Sequence, residues 1–179
     1  MSESWTSFEG VLRYACHVLQ PTRILEWGPG DSTLIMAQEC PDAHILSIEH
    51  QEPYYQAALK RTKMLGNVQI VLAKRACGDA NEGMGYIGEP LRAIVRAGAY
   101  MPSANVFDLV FVDGRDRQDC LSVAFALVKE EGLVLLHDAL RKRYRQAIEM
   151  YPHHLIIGDT AVMSRGRALD GFLPDTATA

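Results

Sequence analysis

Short, nearly continuous apolar runs recur along this chain with helical stretches between them, at residues 23–27, 44–49, 68–73, 107–112 and 133–137. Such runs suit strands buried on both faces. Strands separated by helices pair in parallel, because a parallel pair needs a crossover connection. Two further strands are expected at 154–158 and 161–164. The pattern predicts an α/β chain built on a doubly wound, mostly parallel seven-stranded sheet with helices on both faces.

The connecting segments carry helical signals. Trp5, Phe8, Val11, Leu12, Ala15, Val18 and Leu19 fall at helical spacing, and Thr6 with Glu9 reads as a capping box. Further helices are expected at 32–40, from Pro53 to a cap at Gly66, at 89–97, at 117–129 before Gly132, and at 141–151. The 179 residues suit one domain, taken as 1–173, with a loose tail at 174–179. No apolar run is long enough to span a bilayer, and the N-terminus lacks a signal-peptide pattern. Cys16, Cys40, Cys77 and Cys120 form no CxxC pair, which fits reduced thiols in a cytoplasmic protein. A net charge of −4 supplies no global field for nucleic acid or anionic membranes. Self-association is left open.

Glu26-Trp27-Gly28-Pro29-Gly30 ends the first strand, where ligands bind in such sheets. The glycines let a ligand approach the backbone, and the following helix start offers free N–H groups to an anion. Glu49 ends the second strand, 19 residues after Gly30, where a carboxylate can accept from both ribose hydroxyls. Together these describe a nucleoside-containing ligand. The dinucleotide fingerprint GxGxxG fails at Thr33, and no P-loop occurs.

An acidic residue followed by spaced glycines, with an acid after the second strand, resembles the class I S-adenosylmethionine-dependent methyltransferases, whose fold is Rossmann-like. The resemblance runs from about Leu25 to Ser164 through the order of elements. It implies S-adenosylmethionine as cofactor, with Gly28 and Gly30 under its methionine part and Glu49 on its ribose. Glu26 would order the turn and contact the amino end, directly or through water. Ser32, where many members have glycine, and Thr33 would bind the methionine carboxylate. Asp79, after the third strand, would contact adenine.

Asp113 and Asp138 close the fourth and fifth strands, with His137 beside the second. This looks like the catechol-type O-methyltransferases, in which acids at these strand ends bind a divalent cation that activates a substrate hydroxyl. Asp113 and Asp138 match two ligands, while the asparagine expected third is Ala139. Two carboxylates and water make a weak magnesium site unless substrate completes it. Without metal, Asp113, Asp138 or His137 would act as general base. The alternatives are an Asp113 that caps the next helix and a His137 satisfied near its strand end. Arg115, Arg117, Arg141, Lys142, Arg143 and Arg145 concentrate positive charge here. They read either as a solvated face or as a site for an anionic small molecule, with Arg115 and Arg141 binding it. The resemblance favours O-methylation. The motif [DN]-P-P-[YFW], which would argue for nucleobase methylation, is absent after the fourth strand. The rivals are an NAD-dependent or other nucleotide-binding enzyme on the same fold, and a non-catalytic cofactor-binding member.

Overall fold

A computed structural model of the chain describes residues 5–73 and 106–172. The expected helix at 89–97, Asp79, Cys77 and the tail at 174–179 lie outside the described residues.

The elements run α1 (Phe8–Leu19), β1 (Arg23–Trp27), α2 (Asp31–Glu39), β2 (His44–Glu49), α3 (Glu52–Thr62), β3 (Val68–Leu72) and β4 (Phe107–Val112). They continue with α4 (Arg117–Leu127), β5 (Val128–Leu136), a 3-10 turn (Lys142–Tyr144), α5 (Arg145–Glu149), β6 (His153–Ile157) and β7 (Thr160–Ser164). Seven strands form one sheet in the order β3-β2-β1-β4-β5-β7-β6. β3 through β5 are parallel, while β7 is antiparallel to both β5 and β6. The chain thus lays β2 and β3 on one side of β1 and β4 on the other, which puts a topological switch point between β1 and β4.

Alternation along the strands builds two cores. Leu25, Trp27, Val110, Val112, Val134 and Leu136 face one side, against Cys120, Leu121 and Ala124 of α4. Ile24, Leu109, Phe111, Leu133 and Leu135 face the other, against Leu12 and Ala15 of α1 and Met36 of α2. Successive strand side chains point to opposite faces, so a strand covered on both sides is apolar at nearly every position.

Several boundaries differ from the sequence pattern. Ser7 rather than Thr6 caps α1, its side chain accepting from the Gly10 N–H at 3.2 Å. α3 ends at Thr62 and continues into a right-handed Lys63, so Gly66 is not its cap. α4 stops at Leu127, and Gly132 lies inside β5, where the pairing with β4 shifts register between Phe107 and Leu109. A Cβ on Gly132 would lie 2.7 Å from the Asp108 carbonyl, so the glycine serves this irregularity and not a helix end. The segment 141–151 splits into a 3-10 turn and a five-residue helix.

Candidate functional site

The carboxyl ends of β1, β2 and β4 open onto a cleft of about 1130 Å³. The first wall is the turn after β1. Glu26 is fully buried and accepts from three hydroxyls: Ser32 at 2.5 Å, Thr33 at 2.7 Å, and Ser47 of β2. Burial pushes its carboxyl up to about 7, against the pull of the three donated hydrogen bonds. Thr33 Oγ1 also accepts from the Gly30 N–H at 3.0 Å. The Ser32 and Thr33 hydroxyls donate to Glu26, which is buried behind them and so orders the turn, while Ser32 itself lines the cleft. What the turn can offer an anion is backbone N–H at the start of α2.

Gly28 has φ +90°, and its N–H donates to the Ile48 carbonyl at 3.0 Å. A Cβ there would lie 2.6 Å from the Gly114 nitrogen, so its missing side chain first serves the crossing of the β1 and β4 turns. Gly30 differs. It lines the cleft, and a Cβ on it would meet no protein atom within 4 Å. Glu49 also lines the cleft and is 5% exposed. The N–H groups of His50 (2.6 Å) and Gln51 (2.8 Å) and the His50 ring (2.8 Å) all converge on its Oε1. Although burial works against ionisation, these contacts hold the carboxyl below its ordinary value. A charged acceptor beside an open glycine turn fits a nucleoside-bearing ligand.

The opposite wall comes from the ends of β4 and β5. Asp113 lines the cleft, and its Oδ1 meets Arg117 Nη2 at 2.8 Å and His137 Nδ1 at 3.1 Å. His137 also faces Asp159 Oδ2 at 3.3 Å and stacks on Phe8 with ring centroids 4.6 Å apart. The hydrogen bond with Asp113 and the charges of Asp113, Asp159 and Asp138 outweigh burial and hold the imidazole above its ordinary pKa. A histidine that retains its proton is a poor general base. Asp138, at φ +59°, is paired with Arg117 at 3.2 Å and Arg141 at 2.5 Å. Asp159 and Phe8 were not visible as site residues in the sequence. The β6–β7 hairpin brings Asp159 back, its carbonyl accepting from the Ala139 N–H at 2.7 Å, and no motif marks that return.

Among the described residues, five arginines line the cleft: Arg61, Arg115, Arg117, Arg141 and Arg143. Arg61 pairs with Asp31, while Arg141 is engaged by Asp138. Arg143 lies over the Tyr144 ring, 4.8 Å from its centroid. Arg115 is exposed and has no carboxylate partner among the described residues.

Asp113 and Asp138 do not fit a divalent cation. The position of a third ligand is the methyl-bearing Ala139, and Arg117, with a side chain only 11% exposed, already pairs with both acids. His137, Asp138 and Asp159 also bring ligand atoms within 4.8 Å of one another; His137 Nδ1 is engaged by Asp113 and Asp138 Oδ2 by Arg117 and Arg141, while Asp159 Oδ2 faces His137 Nε2.

No helix among the described residues is long and apolar enough to cross a membrane. No protein-family model matches the chain, and no curated protein matches it in sequence. Solved structures do match its fold. A methyltransferase-like protein from Silicibacter pomeroyi superposes with a TM-score of 0.68 at 21% identity, over 99% of this chain and 92% of the other. An O-methyltransferase from Bacillus cereus in complex with SAH gives 0.61 at 17% identity, over 90% and 81%. A precorrin-6y C5,15-methyltransferase from Geobacter metallireducens gives 0.58 at 16%, over 79% and 67%. The chain has the Rossmann-like α/β fold on which these methyltransferases are built.

Proposed function

We propose that this chain transfers a methyl group from S-adenosylmethionine to an oxygen of a small anionic acceptor. One observation carries the reading: Gly30 and Glu49 line the same cleft at the switch point as Asp113 and Arg115, and Arg115 has no carboxylate partner among the described residues. The shared fold with methyltransferases supports it, and the Bacillus cereus O-methyltransferase favours oxygen as the acceptor atom.

S-adenosylmethionine, when bound, would supply an electrophilic methyl group on its sulfonium for direct displacement by an acceptor oxygen, with S-adenosylhomocysteine as the leaving product. The α2 N-terminus and the Gly28–Gly30 turn would hold the methionine part, and the Glu49 carboxylate would hold the ribose hydroxyls. With Oδ1 held by Arg117 and His137, Asp113 uses Oδ2 to receive the hydroxyl proton as the new C–O bond forms. Arg115 draws the acceptor's anionic group into the cleft and so sets its orientation.

Calorimetric titration with S-adenosylhomocysteine and with NAD tests the cofactor assignment. Binding of the first is expected, and tight binding of NAD alone overturns the reading. Labelled methyl transfer across phosphorylated and carboxylated hydroxy compounds then tests turnover. Cofactor binding without transfer to any of them makes the chain a non-catalytic member.

A further inference from the structure

Arg117 lies in the first turn of α4, and its side chain runs back across the ends of two strands. Nε donates to the Gly114 carbonyl at 3.0 Å, and Nη2 to the Asp113 carbonyl at 3.0 Å and its Oδ1 at 2.8 Å. Nη1 donates to the His137 carbonyl at 2.5 Å and to Asp138 Oδ2 at 3.2 Å. The guanidinium also lies over the Tyr144 ring, 5.9 Å from its centroid. Three carbonyls and two carboxylates from the ends of β4 and β5 therefore converge on one enclosed planar cation.

We infer that the Arg117 guanidinium is the positive charge shared by Asp113 and Asp138, taking the place that a divalent cation between these two acids would need. Both carboxylates need a positive charge between them to lie together in a partly enclosed site. A guanidinium fork meets that need, and its planar donors also fix the two strand ends relative to each other. A divalent ion on the same oxygens would sit within a few ångströms of the guanidinium and be repelled by it. Arg117 is a positioning residue: it holds Asp113 and its strand end against the cleft. The catalytic consequence rests on the proposed methyltransferase reading, whereas the effect on cation binding does not.

The test measures Mn²⁺ binding by electron paramagnetic resonance, without turnover. Wild-type protein is expected to leave the free-ion signal unchanged at millimolar Mn²⁺. Arg117→Met, which leaves both acids without their shared charge, is expected to bind Mn²⁺ at least about tenfold more tightly than wild type. Arg117→Lys keeps the charge and is expected to behave as wild type. Circular dichroism reports whether each variant is folded, and S-adenosylhomocysteine affinity reports separately on the cofactor reading. The inference is overturned if wild type binds Mn²⁺ and Asp113→Asn or Asp138→Asn abolishes that binding, or if folded Arg117→Met gains no affinity. Should Arg117→Met fail to fold, the wild-type measurement decides alone.

Discussion

Gly28 is constrained twice over, by its positive φ and by the Gly114 backbone, which a Cβ would meet at 2.6 Å. Gly28→Ala is therefore expected to lower stability by about 2 kcal/mol or more, since backbone strain of this kind costs about 1–3 kcal/mol before any clash. A urea midpoint equal to that of wild type would show that the two turns can separate freely. Glu26 gives a pH signature. Its carboxyl titrates at about 7 in the fold against an ordinary value of 4.5, because burial disfavours the charge. Between those values the folded state holds a proton that the unfolded chain has lost. Stability is expected to fall as pH rises through that window, by roughly 1.4 kcal/mol per pH unit, and to level off above it. Glu26→Gln should flatten that slope. Equal slopes in urea unfolding of the two proteins would remove Glu26 as the cause. The sequence made Glu26 and Glu49 visible because each is an acid near the carboxyl end of an otherwise apolar strand. It gave no sign that Glu26 would be sealed by Ser32, Thr33 and Ser47, since only pairing between β1 and β2 brings Ser47 alongside.

Among the elements, the strands were the most legible, because burial on both faces leaves a continuous apolar signature that helices and turns lack. The boundary between α4 and β5 was not legible. Lys129, Glu130 and Glu131 look like a helix end, yet they form the polar irregularity at which β5 meets β4. That junction matters for β1 as well. Asp108, in β4, accepts from the Thr22 and Arg23 N–H groups, both at 3.0 Å, and from Lys129 Nζ at 2.5 Å. Burial works against its charge, but these partners hold the carboxyl below its ordinary value. Because the folded pKa is depressed, its contribution is present at neutral pH and is lost as pH falls through that lowered value. Asp108→Ala is expected to destabilise the fold by about 2 kcal/mol, the loss of charged hydrogen bonds to backbone donors. Thermal unfolding at neutral pH checks this, and an unchanged Tm would show that β1 is registered by its neighbours alone.

At the scale of the whole molecule, the two walls of the cleft are expected to answer to different measurements. Glu49→Ala should weaken S-adenosylhomocysteine binding by about 1–3 kcal/mol, the cost of losing charged hydrogen bonds. Arg115→Ala should raise the acceptor KM and leave that affinity unchanged. Arg141→Ala acts partly through Asp138, its partner at 2.5 Å, and so should change kcat as well as KM. Affinity for S-adenosylhomocysteine that falls equally in all three variants would mean that the walls do not divide the work. The division follows from the order of the strands. Among the described residues, those proposed to hold the nucleoside come before residue 50, and those proposed to meet the acceptor, Asp113, Arg115 and Arg141, come after residue 112. The switch point between β1 and β4 is thus also a seam in the gene. A graft that replaces the later segment while keeping the glycine pair at 28 and 114 could exchange one acceptor for another and leave the cofactor half of the cleft as it stands.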